Sequence, residues 1–164
     1  MIKEKMTVVT TEAGKQDVLI VREFNAPREL VFQAWTDQEL YVKWMGPKEM
    51  SMTLEKFEPE TGGSWKYIHR DKKGNEFVFH GVFHEIVFPE KIVQTFEFGG
   101  KKGHVALETI FFEDLADDKT RVTSHSVFQS QEDRDGMIGS GMESGIHDSY
   151  ERLDELLATE LTKG

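Results

Sequence analysis

The sequence contains no cysteine. That excludes disulfides, thiolate metal sites and a cysteine nucleophile, and it suits a reducing, cytoplasmic setting. Proline is scarce, at four residues. No stretch is apolar for long enough to cross a bilayer as a helix. The opening Met1-Ile2-Lys3-Glu4-Lys5-Met6 lacks the apolar run of a signal peptide. Positive charge is also short: 20 Lys and Arg stand against 30 Asp and Glu, for a net charge of −10. Between Gln131 and Glu160 nine acids face only Arg134 and Arg152. Such a surface repels phosphate, so neither nucleic acid nor an anionic membrane is an expected partner. Signatures of serine hydrolases and phosphate loops are missing too. Gly139-Ser140-Gly141 is too short for a nucleophile elbow and follows no strand. Gly62-Gly63 and Gly99-Gly100 read as turns.

What is present is an ample core for one domain over residues 1–164, with 38% hydrophobic and 11% aromatic residues. Val18 to Phe24 is β-branched and apolar and reads as a strand, with Thr7 to Thr11 extending or preceding it. A small aromatic segment, "NAPRELVFQAWTDQELYVKWMGP", follows. Pro27 suits a first helical turn with Asn25 as cap, and Leu30, Val31, Ala34 and Trp35 share one helical face. Thr36 and Glu39 fit a capping box for a second short helix, which Gly46-Pro47 ends. Such a pair suggests a membrane foot, a partner-binding surface or a lid over a pocket. Its mixed charges, with no basic face, weigh against the membrane.

From Ser51 to Gln129 the pattern is strand and turn. Strands are expected over Met52–Glu58, Gly63–Arg70, Phe77–Val87, Ile92–Phe98, His104–Glu113 and Arg121–Phe128. Gln131 to Leu161 then has helical periodicity through Ile138, Met142, Ile146, Tyr150, Leu153, Leu157 and Leu161. Its first half carries Gly136, Gly139, Gly141 and Gly145, each costing about 1 kcal/mol against alanine in a helix interior. Close approach to another backbone, or room for a ligand, would explain them. The expected architecture is α+β: a curved antiparallel sheet of about six to seven strands around a long C-terminal helix, with two short helices after the first strand.

The segments "FNAPRELVFQAWTD", "VKWMGP", "GGSWKY", "FHGVFHEIVFPEKIVQTFEF", "TRVTSHSVF" and "GMESGIHDSYERLDELL" resemble, in order, motifs of the bacterial relatives of the C-terminal domain of the activator of the heat-shock-protein-ninety ATPase. These belong to the START-like (SRPBCC, helix-grip) superfamily. The resemblance implies a helix-grip fold with a deep, mostly apolar cavity between sheet and C-terminal helix. Activity does not follow, because the superfamily includes lipid carriers, receptors, cyclases and co-chaperone domains. The small helices would plug one end of the cavity, with Trp35 and Trp44 facing inward or lining its mouth. Ordinary core packing accounts for both equally well.

Within this frame, Trp65, Tyr67 and His69 share a strand face opposite Lys66 and Arg70 and are expected to line the cavity. The next strand is apolar on both alternations. If Phe79 and Phe83 point inward, strict alternation sends Glu85 inward as well, beside Thr95 on the following strand. A carboxylate there would be a functional candidate, the alternative being a solvated place at the sheet rim. His125 resembles a histidine found at this point in the family and could hold a polar end of a ligand, or be an ordinary satisfied core histidine. With Met142 on the last helix, these residues form the candidate ligand-binding set. His80 and His84 lie four apart on a strand, about 13 Å, too far to share a metal, so no metal and no cofactor are expected. No nucleophile, base and orienter can be assembled, which disfavours an enzyme, although a cyclase or hydrolase using Tyr67, Glu85 or His125 stays in view. The leading expectation is binding of an apolar or aromatic small molecule by a monomer or homodimer. The alternative is a protein-interaction domain acting on a chaperone ATPase.

Overall fold

The computed structural model describes residues 7–163. The Met1–Met6 stretch, read above for a leader, lies outside them. Eight strands form one antiparallel sheet: β1 (Val8–Thr10), β2 (Asp17–Phe24), β3 (Ser51–Phe57), β4 (Ser64–Arg70), β5 (Glu76–Val87), β6 (Lys91–Phe98), β7 (Val105–Leu115) and β8 (Lys119–Val127). Their spatial order is β1-β2-β8-β7-β6-β5-β4-β3. Every neighbouring pair is antiparallel. The count exceeds the expected six to seven because Val8–Thr10 forms its own edge strand on β2. Two short helices, α1 (Arg28–Thr36) and α2 (Gln38–Trp44), interrupt the sheet after β2.

The sheet curves around a helical segment that is broken, not continuous. Helix α3 spans Gln131–Gly139 and α4 spans Met142–Lys163. Gly141 sits between them at φ +89°, a left-handed conformation that non-glycine residues rarely adopt. Gly145 serves no close approach, since its nearest outside neighbour is Pro47 Cγ, 3.7 Å from where a Cβ would lie. The glycine-rich stretch thus marks a corner, and only Gly141 is demanded by the backbone.

Helix α2 is capped by Asp37, whose carboxylate accepts the backbone N–H groups of Glu39 and Leu40 at 2.9 and 3.3 Å. Thr36, the expected cap, instead donates back to the Phe32 carbonyl. Pro27, not Asn25, occupies the N-cap position of α1. The helical pair wedges between sheet and α4. Phe32 and Trp35 pack on Phe112 of β7 at ring distances of 4.9 and 5.1 Å. Tyr41 stacks on Phe57 of β3 at 5.2 Å. Trp44 is fully buried and donates its indole N–H to the Ala34 carbonyl at 2.8 Å.

Helix α4 is tied to the end of this pair by polar bonds. Gly46 N–H donates to Ser149 Oγ at 2.8 Å, and Arg152 donates to the Gly46 and Lys43 carbonyls at 3.0 and 2.9 Å. Its apolar face reaches the sheet through Tyr150, whose ring lies 5.5 Å from Phe24. Leu153 and Leu157 on the same face are buried. Helix α3 is anchored by the buried Arg134, which donates to the Asp17 and Glu12 carbonyls at 3.0 and 2.8 Å.

Candidate functional site

Alternation assigns one face of each strand to the concave side. On β2 these residues are Val18, Ile20, Arg22 and Phe24; on β8 they are Thr120, Val122, Ser124 and Ser126. Cross-strand register carries the assignment across the sheet: Ala106, Glu108, Ile110 and Phe112 on β7, Ile92, Gln94 and Phe96 on β6, and Phe77, Phe79 and Phe83 on β5. On β4 the concave residues are Trp65, Tyr67 and His69.

The two ends of this face differ. Around β2, β8, α1 and the second half of α4, the concave side chains are sealed: Val18, Phe24, Val31, Phe32, Val122, Leu153 and Leu157 are all at most 2% exposed. Toward β5 and β6 the packing is mixed: Phe83 and Ile92 are buried, whereas Phe79 and Phe96 are half-buried. Phe79 and Phe96 of the sheet, with Met137, Ile138, Met142 and Ile146 of α3 and the start of α4, pack at the edge of the core and keep contact with solvent. The concave face is therefore less completely packed at Phe79 and Phe96 than around β2 and β8. The surface also offers a shallow hollow of about 940 Å³, but it lies over the convex side, among Lys66, His80, Val82, His84 and Glu97.

One polar row crosses the apolar concave face. Phe83 pairs with Gln94, Gln94 with Glu108, Glu108 with Ser126, and Ser126 with Val18. Gln94 Nε2 donates to Glu108 Oε1 at 2.9 Å, and Ser126 Oγ donates to Glu108 Oε2 at 3.2 Å. Burial raises the Glu108 pKa above the usual carboxylate range, and these two hydrogen bonds offset part of the effect. Three phenols feel its charge from the surrounding elements: Tyr41 on α2, Tyr67 on β4 and Tyr150 on α4. Burial raises all three, and the Glu108 charge adds to it.

The sequence reading missed Glu108, although "VALETIFF" carries its signal. In strict alternation that stretch puts one carboxylate on a face otherwise made of alanine, isoleucine and phenylalanine.

The expected site residues divide into three groups. Trp65, Tyr67, His69, Phe79 and Phe83 lie on the concave face, joined by ring contacts such as Trp65–Tyr67 at 5.3 Å and Tyr67–Phe79 at 5.4 Å. With them at the edge of the core stands Met142, half-buried at the start of α4. Trp35 and Trp44 lie within the sealed core, 4.6 Å apart, packed on each other and on Tyr150.

The third group, Glu85, Thr95 and His125, corrects the expectation. A register shift between Phe83 and Glu85 interrupts β5, so Glu85 pairs with Val93, not Thr95. The extra residue swaps the alternation, and Glu85 emerges half-exposed in an ion pair with Lys91. Thr95 also points outward, accepting the Val82 N–H at 2.9 Å. On β8 the buried positions are Val122, Ser124 and Ser126, so His125 faces out and bonds Asp17 at 2.8 Å.

Two buried nitrogens on β4 lack a hydrogen-bond partner among the described residues: Trp65 Nε1 and His69 Nε2. His69 lies under the Gly46 turn, where a Cβ on Gly46 would stand 2.6 Å from Nε2. Burial, assisted by the Arg152 charge, lowers its pKa to about 4, so the imidazole is neutral at pH 7. Among the described residues, no group of three or more His, Cys, Asp or Glu is arranged to hold a metal ion. No described helix is long and apolar enough to cross a membrane.

An antiparallel sheet curled around a C-terminal helix, closed at one end by a helical pair, defines the helix-grip class of α+β proteins. Residues 25–158 match the family described as Activator of Hsp90 ATPase homolog 1-like protein, and the chain belongs to that family. Its fold is similar to the solution structure of a protein from Arthrobacter aurescens, with TM-score 0.84 and 27% identity over 93% of this chain and 91% of that one. A Staphylococcus epidermidis protein aligns with TM-score 0.78 and 28% identity over 92% and 94% of the two chains. An Hsp90 activator from Plasmodium falciparum shares the fold at TM-score 0.51 and 20% identity, over 68% of this chain and 72% of that one. No curated protein matches the sequence significantly.

Proposed function

We propose that the chain, as one START-like domain, binds a small, largely apolar or aromatic molecule in the less completely packed half of the concave face. The observation that supports this is the half-buried Glu108, hydrogen-bonded by Gln94 and Ser126, in a row that runs beside the half-buried Phe96. A protein that needed this face only as a core gains nothing from a carboxylate there, since burying it unpaired is costly. Half-buried Phe79, Phe96, Met142 and Ile146 supply the apolar walls, and Glu108 fixes orientation. Among the described residues its hydrogen-bond partners are the Gln94 amide and the Ser126 hydroxyl, and the reading is binding in a cytoplasmic protein. The test is titration with a twelve-carbon alcohol or an apolar dye, followed by tryptophan fluorescence and amide chemical shifts. Micromolar binding that perturbs Phe79, Phe96 and Met142 and is lost in Phe96→Glu is expected. Absence of binding, or shifts confined to the convex face, would overturn it.

A second reading, a protein-interaction domain acting on a chaperone ATPase, draws support from the convex face. Leu107 pairs with Thr95 on one side and with Val127 on the other. Leu107, Phe111, Val127 and Val82 are 47, 47, 39 and 40% exposed. Such an apolar strip suits a partner. Stimulation of an Hsp90-type ATPase that Leu107→Ser abolishes would carry this reading, and unchanged stimulation in that variant would refute it.

A further inference from the structure

Glu108 stands without a countercharge. Its two oxygens are met by an amide and a hydroxyl, both neutral, and among the described residues no Lys, Arg or His pairs with it. The cation on the same concave face, Arg22, is committed elsewhere. It donates to Thr7 Oγ1 at 3.0 Å and lies 3.8 Å from Asp154 of α4. It also belongs to the cross-strand row of Val122 and Phe112, whereas Glu108 belongs to that of Ser126 and Val18. Four residues along a strand separate the two rows, about 13 Å. Arg152 of α4 is held by backbone carbonyls at the end of α2. The titratable groups that sense Glu108 from the elements packed over it are the phenols Tyr41, Tyr67 and Tyr150. These bring no positive charge. Phe83 lies two places along the same row, and Phe96 two residues along β6 from Gln94.

Carboxylate and aromatic faces share a preference. A cation offsets the unpaired charge and is attracted to the negative faces of the rings. A carboxylate-ended molecule meets repulsion in a place where water screens poorly. We infer that the groove takes a molecule with a cationic end, an amine or quaternary ammonium on an apolar body, with Glu108 as its counter-ion. This rests on the proposed binding function and specifies its ligand class. The net charge of −10 works in the same direction by drawing cations to the surface.

The test compares three probes of one chain length at pH 7, each below its aggregation threshold: dodecylamine, dodecanol and dodecanoate. Affinities for the intact protein are measured by calorimetry and tryptophan fluorescence. The amine should bind about tenfold or more tighter than the alcohol, the difference expected of one charge-assisted contact, and the carboxylate weakest. In Glu108→Gln the amine should fall to the affinity of the alcohol, while the alcohol is unchanged and the carboxylate improves. The unchanged affinity of Glu108→Gln for the alcohol guards against a fold defect in that variant. If the alcohol binds and the amine binds no better, or the carboxylate binds best, the cationic ligand is wrong and the apolar groove survives. If none of the three binds, both readings fall.

Discussion

The two halves of the concave face are built from the same kinds of residue but do different things. In the half formed by β2, β8, α1 and the end of α4, aromatic and aliphatic side chains interlock until nothing is left for solvent. Phe24, Trp44 and Leu153 are each 0% exposed. Toward β5 and β6, Phe79 and Phe96, equally large, stay half-buried, although Phe83 and Ile92 beside them are sealed. The difference lies in what covers them. The sealed half has a helical pair wedged beneath α4 and tied to it by Ser149 and Arg152. Helix α3, before the turn at Gly141, is tied to the β2 side through Arg134. Stability is concentrated where packing is complete, and accessible recognition surface remains where it is not.

The sharpest way to test that contrast is to remove equivalent apolar mass from each half. Leu153→Ala should cost about 2–5 kcal/mol, the range for a fully buried leucine that leaves a cavity. Ile146→Ala, one helical stretch earlier in the less completely packed half, should cost closer to about 1 kcal/mol, because much of the side chain already meets solvent. Equal losses in urea unfolding would erase the distinction between the halves.

Next in size is the pH dependence carried by His69. Its folded pKa, about 4, lies below the ordinary histidine value near 6.5. Between these values the unfolded chain binds more protons than the folded one, so stability must fall as pH drops from about 6.5 toward 4. The full difference amounts to roughly 3 kcal/mol. His69→Phe should flatten this part of the stability curve relative to the wild type. An unchanged slope would mean that His69 is already solvated.

The smallest effects concern the corner. Gly141→Ala should destabilise by about 1–2 kcal/mol, because the alanine must adopt a left-handed backbone. Gly145→Ala meets no obstacle and should be neutral or stabilising by up to about 1 kcal/mol. If the two variants behaved alike in thermal unfolding, the break between α3 and α4 would not be imposed by Gly141.

Much of the fold was legible because its signals are local. The alternation Trp65, Tyr67, His69 marked a strand and its inward face. The steps through Tyr150, Leu153 and Leu157 marked the packing face of α4, where all three are buried. The candidate site was less legible. Strict alternation carried Glu85 inward with Phe83, but one extra residue in β5 reversed it. His125 drew attention as a chemically versatile side chain, yet its neighbours Ser124 and Ser126 took the inward places. Glu108 was overlooked as one acid among many, although its strand neighbours are apolar.

By itself the sequence determined the kind and order of the elements and the acidic character of the surface. Periodicity, turn residues and net charge are properties of neighbours along the chain or of composition. Tertiary structure alone decided which face of each strand meets the helices, where the helix bends away, and that Glu108 turns to the concave face while Glu85 turns outward. A strand offers two faces that differ by a single residue of register. A carboxylate becomes unusual only when elements distant in sequence, here α2, β4, β6, β8 and α4, gather around it and displace part of its water.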